Sequence, residues 1–111
     1  MIDHRNGFLI SGNEPGVLVV EGELDSANRP LFERAITEAV RAGGPLVLDV
    51  SGVTYMDSSA LQALIAAVES ISPGWLALRG VHGPTERLMK ITNVGRMPGL
   101  RIIPSENTLQ L

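Results

Sequence analysis

Hydrophobic residues in this chain switch repeatedly between the spacing of a strand and the spacing of a helix. Gly7-Phe8-Leu9-Ile10-Ser11 and Val17–Glu23 read as strands, and the polar Gly12-Asn13-Glu14-Pro15-Gly16 between them reads as the turn of a hairpin. From Asn28 to Arg41 the period lengthens, with Leu31, Phe32, Ala35, Ile36, Ala39 and Val40 on one helical face and Gly43-Gly44-Pro45 as the stop. Leu46-Val47-Leu48-Asp49-Val50 then has the make-up of a buried strand. Leu61, Leu64, Ile65, Val68 and Ile71 define a second helix that ends at Ser72-Pro73-Gly74. Trp75–Arg79 is the next strand, Pro84–Asn93 a third helix with Leu88 and Ile91 facing inward, and Arg101–Ile103 a last strand before a single closing turn capped by Ser105.

A hairpin followed by strand–helix units predicts an α/β fold with a mixed, mostly parallel sheet. Crossovers between parallel strands are right-handed in about 98% of cases. Winding in one direction therefore places the helices mainly on one face, with Val19, Val47, Leu48, Leu76 and Leu78 among the buried sheet positions. At 111 residues the chain has room for one domain, residues 1–111, and one core.

Composition removes several kinds of function. With no cysteine there is no disulfide, thiolate metal site or cysteine nucleophile. A net charge of −3 with scattered basic residues argues against a nucleic-acid partner, which needs a clustered positive face. Phe8, Phe32, Tyr55 and Trp75 are too dispersed to stack bases. No apolar run approaches the roughly 20 residues that span a bilayer, and Met1–Asn6 lacks a signal-peptide pattern. A cytoplasmic protein with no membrane partner is expected.

Catalytic motifs are missing as well. No serine sits in a Gly-x-Ser-x-Gly elbow, and the single lysine, Lys90, lies mid-helix rather than in a phosphate loop. His4, in a loose N-terminus, and His82, ahead of the third helix, are too far apart in sequence to suggest a metal site. His82 before a helix N-terminus is a conceivable phosphocarrier histidine, although a solvent-facing loop histidine is the simpler reading. No enzyme activity, cofactor or metal is expected.

The informative segment is Val53-Thr54-Tyr55-Met56-Asp57-Ser58-Ser59-Ala60-Leu61, which links a buried strand to an amphipathic helix. Local chemistry favours a capping role for Asp57-Ser58-Ser59, since Asp and Ser are preferred N-caps worth about 1 kcal/mol. The same place tolerates an added phosphate, because helix N-terminal N–H groups point outward there. Along the second helix, Gln62, Ala63, Ala66, Ala67 and Glu69 fall on or beside the outer face. The alanines there either let a partner approach closely or serve only as good helix formers.

Leu48-Asp49-Val50-Ser51-Gly52-Val53-Thr54-Tyr55-Met56-Asp57-Ser58-Ser59-Ala60-Leu61 closely resembles the signature of STAS domains, specifically the bacterial anti-sigma factor antagonists. Gly22-Glu23-Leu24-Asp25 and Arg87–Val94 resemble further stretches of that family. The resemblance implies a partner switch without catalytic activity of its own. The unphosphorylated protein binds an anti-sigma factor that is also an ATP-dependent serine kinase; phosphorylation of the first serine releases it, and a serine phosphatase resets it. Carried over, the acceptor is Ser58, and the partner face comprises Asp25, Asp57, Ser58, Ser59, Gln62 and Ala63. Asp25 taken alone is a turn or capping aspartate. The chain departs from many members in having Ala60-Leu61-Gln62 where they carry Gly-Leu-Gly. A STAS scaffold or ligand-sensing module without a phosphoserine switch is the alternative, and a phosphocarrier using His82 is the rival from another class.

Overall fold

A computed structural model describes residues 2–5, 8–11, 16–41, 46–71 and 74–103. Six strands form one sheet whose order follows the chain: β1 (Ile2–Arg5), β2 (Phe8–Ser11), β3 (Val17–Leu24), β4 (Leu46–Met56), β5 (Leu76–Arg79) and β6 (Leu100–Ile102). β1, β2 and β3 pair antiparallel, and β3, β4, β5 and β6 pair parallel. Helices α1 (Arg29–Arg41), α2 (Ser58–Ile71) and α3 (Gly83–Thr92) fill the three crossovers, and a one-turn 3-10 helix at Val94–Arg96 follows α3. This is the expected mixed, mostly parallel α/β sheet.

Register decides which side is covered. Leu18, Leu48 and Leu78 stand side by side on three parallel strands and are all buried. They share one core with Phe32 and Ile36 of α1, Leu61, Leu64 and Val68 of α2, and Met89 of α3. Val19, Asp49 and Arg79 make the next rung, and alternation turns them to the opposite face, where they are only half-buried. Val19 and Val47 are thus half-buried rather than core positions, while Leu48, Leu76 and Leu78 are buried as expected.

β4 runs on to Met56, well past the expected end at Val50. Its pairing with β3 slips twice, between Val19 and Glu21 and between Gly22 and Glu23. Each slip adds a residue on β4, as a bulge does. The inward positions of β3 keep a period of two (Leu18, Val20, Gly22, Leu24), whereas those of β4 stretch to Leu48, Val50, Val53 and Met56. The bulges keep the two core rows in phase and carry β4 up to the start of α2.

Two further expectations change. Ile2–Arg5 is a strand paired with β2, so His4 lies in the sheet opposite Leu9 rather than in a loose end. Ile91 points outward, 75% exposed, while Thr85 and Met89 face inward and Leu88 is half-buried. Spacing explains it: Thr85, Leu88 and Met89 form an i, i+3, i+4 stripe that leaves Ile91 on the other side. The expected turn at 12–15, stops at 43–45 and 72–73, and closing turn at Ser105 lie outside the described residues.

Candidate functional site

The C-terminal ends of β3 and β4 are aligned, Leu24 opposite Met56, so the residues that follow them, Asp25 and Asp57, emerge on one rim of the sheet. The Asp57 N–H donates to the Leu24 carbonyl (3.1 Å), which ties the two exits together. Each aspartate then starts its own helix. Asp25 Oδ1 accepts the Asn28 N–H (3.0 Å), and buried Asn28 donates its side-chain amide to the Glu23 carbonyl (2.7 Å), closing the turn that leads into α1. The turn-and-cap reading of Asp25 holds.

At α2 the cap is Asp57. Its Oδ1 accepts the Ala60 N–H at 3.1 Å, and its carbonyl accepts the Leu61 N–H at 3.1 Å. Ser58 and Ser59 therefore occupy the first two helical positions with the capping role already filled. Ser58 is exposed and Ser59 half-buried, and among the described residues the Ser58 hydroxyl has no hydrogen-bond partner. An unengaged hydroxyl at a helix N-terminus can accept a phosphoryl group without the loss of a structural bond, and the dipole there favours negative charge.

Ala60 is buried, and its methyl group joins the core. Gln62 is exposed one turn beyond Ser58, and its Oε1 accepts a hydrogen bond from Arg29 Nη1 at 3.2 Å. Arg29 also pairs with Glu33, which fixes the guanidinium between the two helices. Sequence reasoning passed over Arg29, since a first-turn arginine carries no signal of a contact 33 residues away.

Ala63 does not lie on the outer face. It is 2% exposed and, with buried Ala67, lines the cleft between α2 and α1 opposite Ile36 and Thr37. The outer-face assignment of Ala63 and Ala67 is thus corrected: apolar spacing alone placed α2 against the sheet, but α1 packs on it as well and covers a second strip. The small side chains serve helix–helix approach within the chain. Tyr55, at the end of β4 two residues before Asp57, is a large side chain left 47% exposed.

A second polar cluster lies on the sheet face opposite the core. Asp49 accepts from Ser51 N–H (3.0 Å), Ser51 Oγ (2.7 Å) and Arg79 Nε (3.0 Å). Burial alone would raise its pKa, but the Ser51 hydrogen bonds and the Arg79 charge outweigh that and hold the carboxyl below its ordinary value. The His82 Nε2 lies 2.7 Å from the Ser51 carbonyl; a carbonyl only accepts, so that nitrogen carries the proton. This bond anchors the residue before α3. Gly80 makes the approach possible: its φ is +80°, and a Cβ there would lie 2.9 Å from the Ser51 nitrogen. Among the described residues no cluster of His, Asp and Glu is placed to hold a metal ion, and no helix is long and apolar enough to cross a membrane.

Comparison with known proteins decides the family, for the STAS domain family matches residues 9–109. The chain belongs to the STAS domain family. A Mycobacterium tuberculosis protein, Rv2638, assigned provisionally as an anti-anti-sigma factor, is 34% identical over 92 residues; the match covers 78% of this chain and 61% of that protein. This STAS chain therefore spans less than two thirds of that relative's length. Its fold superposes on the crystal structure of an anti-sigma factor antagonist from Mycobacterium paratuberculosis with a TM-score of 0.72 and 26% identity, covering 93% of this chain and 89% of the other. The anti-sigma factor antagonist SpoIIAA, solved in its unphosphorylated form, gives a TM-score of 0.66 over 93% of each chain, and at 16% identity that likeness is one of fold.

Proposed function

We propose that this STAS domain is an anti-sigma factor antagonist whose binding is switched by phosphorylation of Ser58. Unmodified, it binds an anti-sigma factor serine kinase through a rim formed by Asp25, Asp57, Ser58, Ser59 and Gln62. The kinase transfers the γ-phosphoryl of ATP to Ser58 Oγ, ADP leaves, and the domain is released; a serine phosphatase restores it. In this reading the domain is a cytoplasmic regulator with no catalysis of its own.

One observation carries it: Asp57 performs the capping, so the exposed Ser58 hydroxyl beside it is unengaged. Phosphate adds about −1.5 to −2 charge, next to Asp57 and near Asp25. A partner surface that accommodates the neutral hydroxyl then meets a concentrated negative charge, while the fold has no bond to lose. The matched relatives described as anti-sigma factor antagonists support the partner class.

Incubation with ATP and candidate anti-sigma kinases, followed by mapping of the modified residue, tests the reading. Ser58→Ala should abolish phosphorylation and retain binding, and Ser59→Ala should leave most phosphorylation intact. Phosphate on Ser59, Thr54 or His82 would overturn the assignment. Binding with no modification at all would leave a scaffold or sensing module in its place.

A further inference from the structure

The arginine that begins α1 is held against the helix that carries Ser58. Arg29 and Ser58 are the first residues of α1 and α2, and both helices begin at the rim where β3 and β4 end. Arg29 Nη1 donates to Gln62 Oε1, and Gln62 lies four positions after Ser58 on the same exposed side of α2. Side chains at i and i+4 are surface neighbours, with Cβ atoms about 6 Å apart. The guanidinium is therefore bonded to the residue one helical turn from Ser58. Its contact with Gln62 is to a neutral amide, which a phosphate readily outcompetes: charge-assisted bonds to phosphate oxygens are about twice as strong, and the guanidinium fork fits them in pairs.

We propose that Arg29 is the internal receiver of a phosphate on Ser58, exchanging Gln62 for the phosphate oxygens when that residue is modified. The proposal rests on the phosphoserine reading of Ser58 and adds how the modified state is held. Asp57 and Asp25 on the rim repel the phosphate, and Glu33 competes for Arg29. Among the described residues, Arg29 is the cation that hydrogen bonding brings to this end of α2. Its transfer withdraws the Arg29–Gln62 pair from the unmodified face, so modification changes the surface of both helices rather than one hydroxyl. Gln62 is then the resting acceptor for Arg29 in the unmodified chain.

The test installs phosphoserine at position 58 of the full chain by genetic-code expansion, so that no kinase is needed. Phosphorus NMR then follows the second phosphate ionisation, which lies near pH 6 in an unperturbed phosphoserine. A nearby cation favours the dianion, so Arg29→Gln should raise that pKa by about half a pH unit or more, and added salt should shrink the difference. Arg29→Lys should restore part of it. Gln62→Leu removes the resting acceptor but keeps the cation, and should leave the pKa low. Identical titration with and without Arg29 would overturn the proposal, as would Gln62→Leu raising the pKa as far as Arg29→Gln does. Because the phosphoserine is incorporated during translation without a kinase, a failure of kinases to modify Ser58 would overturn the functional reading and leave this measurement standing.

Discussion

Asp57 Oδ1 accepts the Ala60 N–H at 3.1 Å, and this bond divides the labour of the Asp-Ser-Ser segment. The aspartate holds the helix and the first serine is left unengaged. Replacing an N-cap aspartate by alanine costs about 1 kcal/mol, so Asp57→Ala should lower stability by that amount. Ser58→Ala should change it by less than about 0.5 kcal/mol, as is usual for surface substitutions. Urea unfolding of the two variants checks this. Equal losses would mean that Ser58 shares the cap.

Ser58→Asp separates binding from folding. A carboxylate in the first turn of α2 gains about 0.3–1 kcal/mol from the helix dipole, and repulsion from Asp57 takes back a few tenths. Stability should therefore move by less than about 1 kcal/mol. In a desolvated interface an unpaired charge costs several kcal/mol, which at about 1.4 kcal/mol per decade predicts at least a hundredfold loss in affinity for an anti-sigma kinase. Thermal unfolding and calorimetric titration measure the two quantities. Comparable losses in both would return Ser58 to a structural role.

Local periodicity made most of this fold readable. Strands and helices alternate cleanly from Val17 to Arg79, and the Asp57–Ser58 junction falls where spacing changes from strand to helix. The misreadings share one physical origin, which is that partners distant in sequence decide them. The far half of β4 was hidden because two bulges break its alternation, and those bulges are defined only by the register against β3. Ala63 looked exposed because a sequence does not show that α1 packs beside α2. Ile2–Arg5 is short and mixed in character, and becomes a strand by pairing with β2. Arg29 meets Gln62 only once the crossovers bring both helix starts to one rim.

Thr85 offers a test of the core beneath α3. Its hydroxyl is fully buried with no hydrogen-bond partner among the described residues, a cost of about 1–3 kcal/mol relative to a satisfied group. Valine keeps the branched shape and replaces the hydroxyl with a methyl group. Thr85→Val should raise stability by about 1 kcal/mol in chemical denaturation. A loss of that size would show that the hydroxyl is bonded in solution, for instance to a buried water.

Asp49 contributes to the acid limb of stability. Ser51 and Arg79 hold its folded-state pKa below the ordinary value of about 3.9, against the opposing effect of burial. A depressed carboxylate pKa contributes stability that is fully present above the unfolded-state pKa and is lost as pH falls through the folded one. Arg79 is 40% exposed, so solvent screens the pair and the contribution is about 1 kcal/mol or less. Asp49→Asn keeps an oxygen for Ser51 but loses the charge that pairs with Arg79. The variant should therefore be less stable than the parent by a constant amount between about pH 5 and 8, and the gap should close below about pH 4. Urea unfolding across pH 2.5–8 measures it. A gap that persists unchanged to the lowest pH would place the loss in hydrogen-bond geometry rather than in the ionised carboxylate.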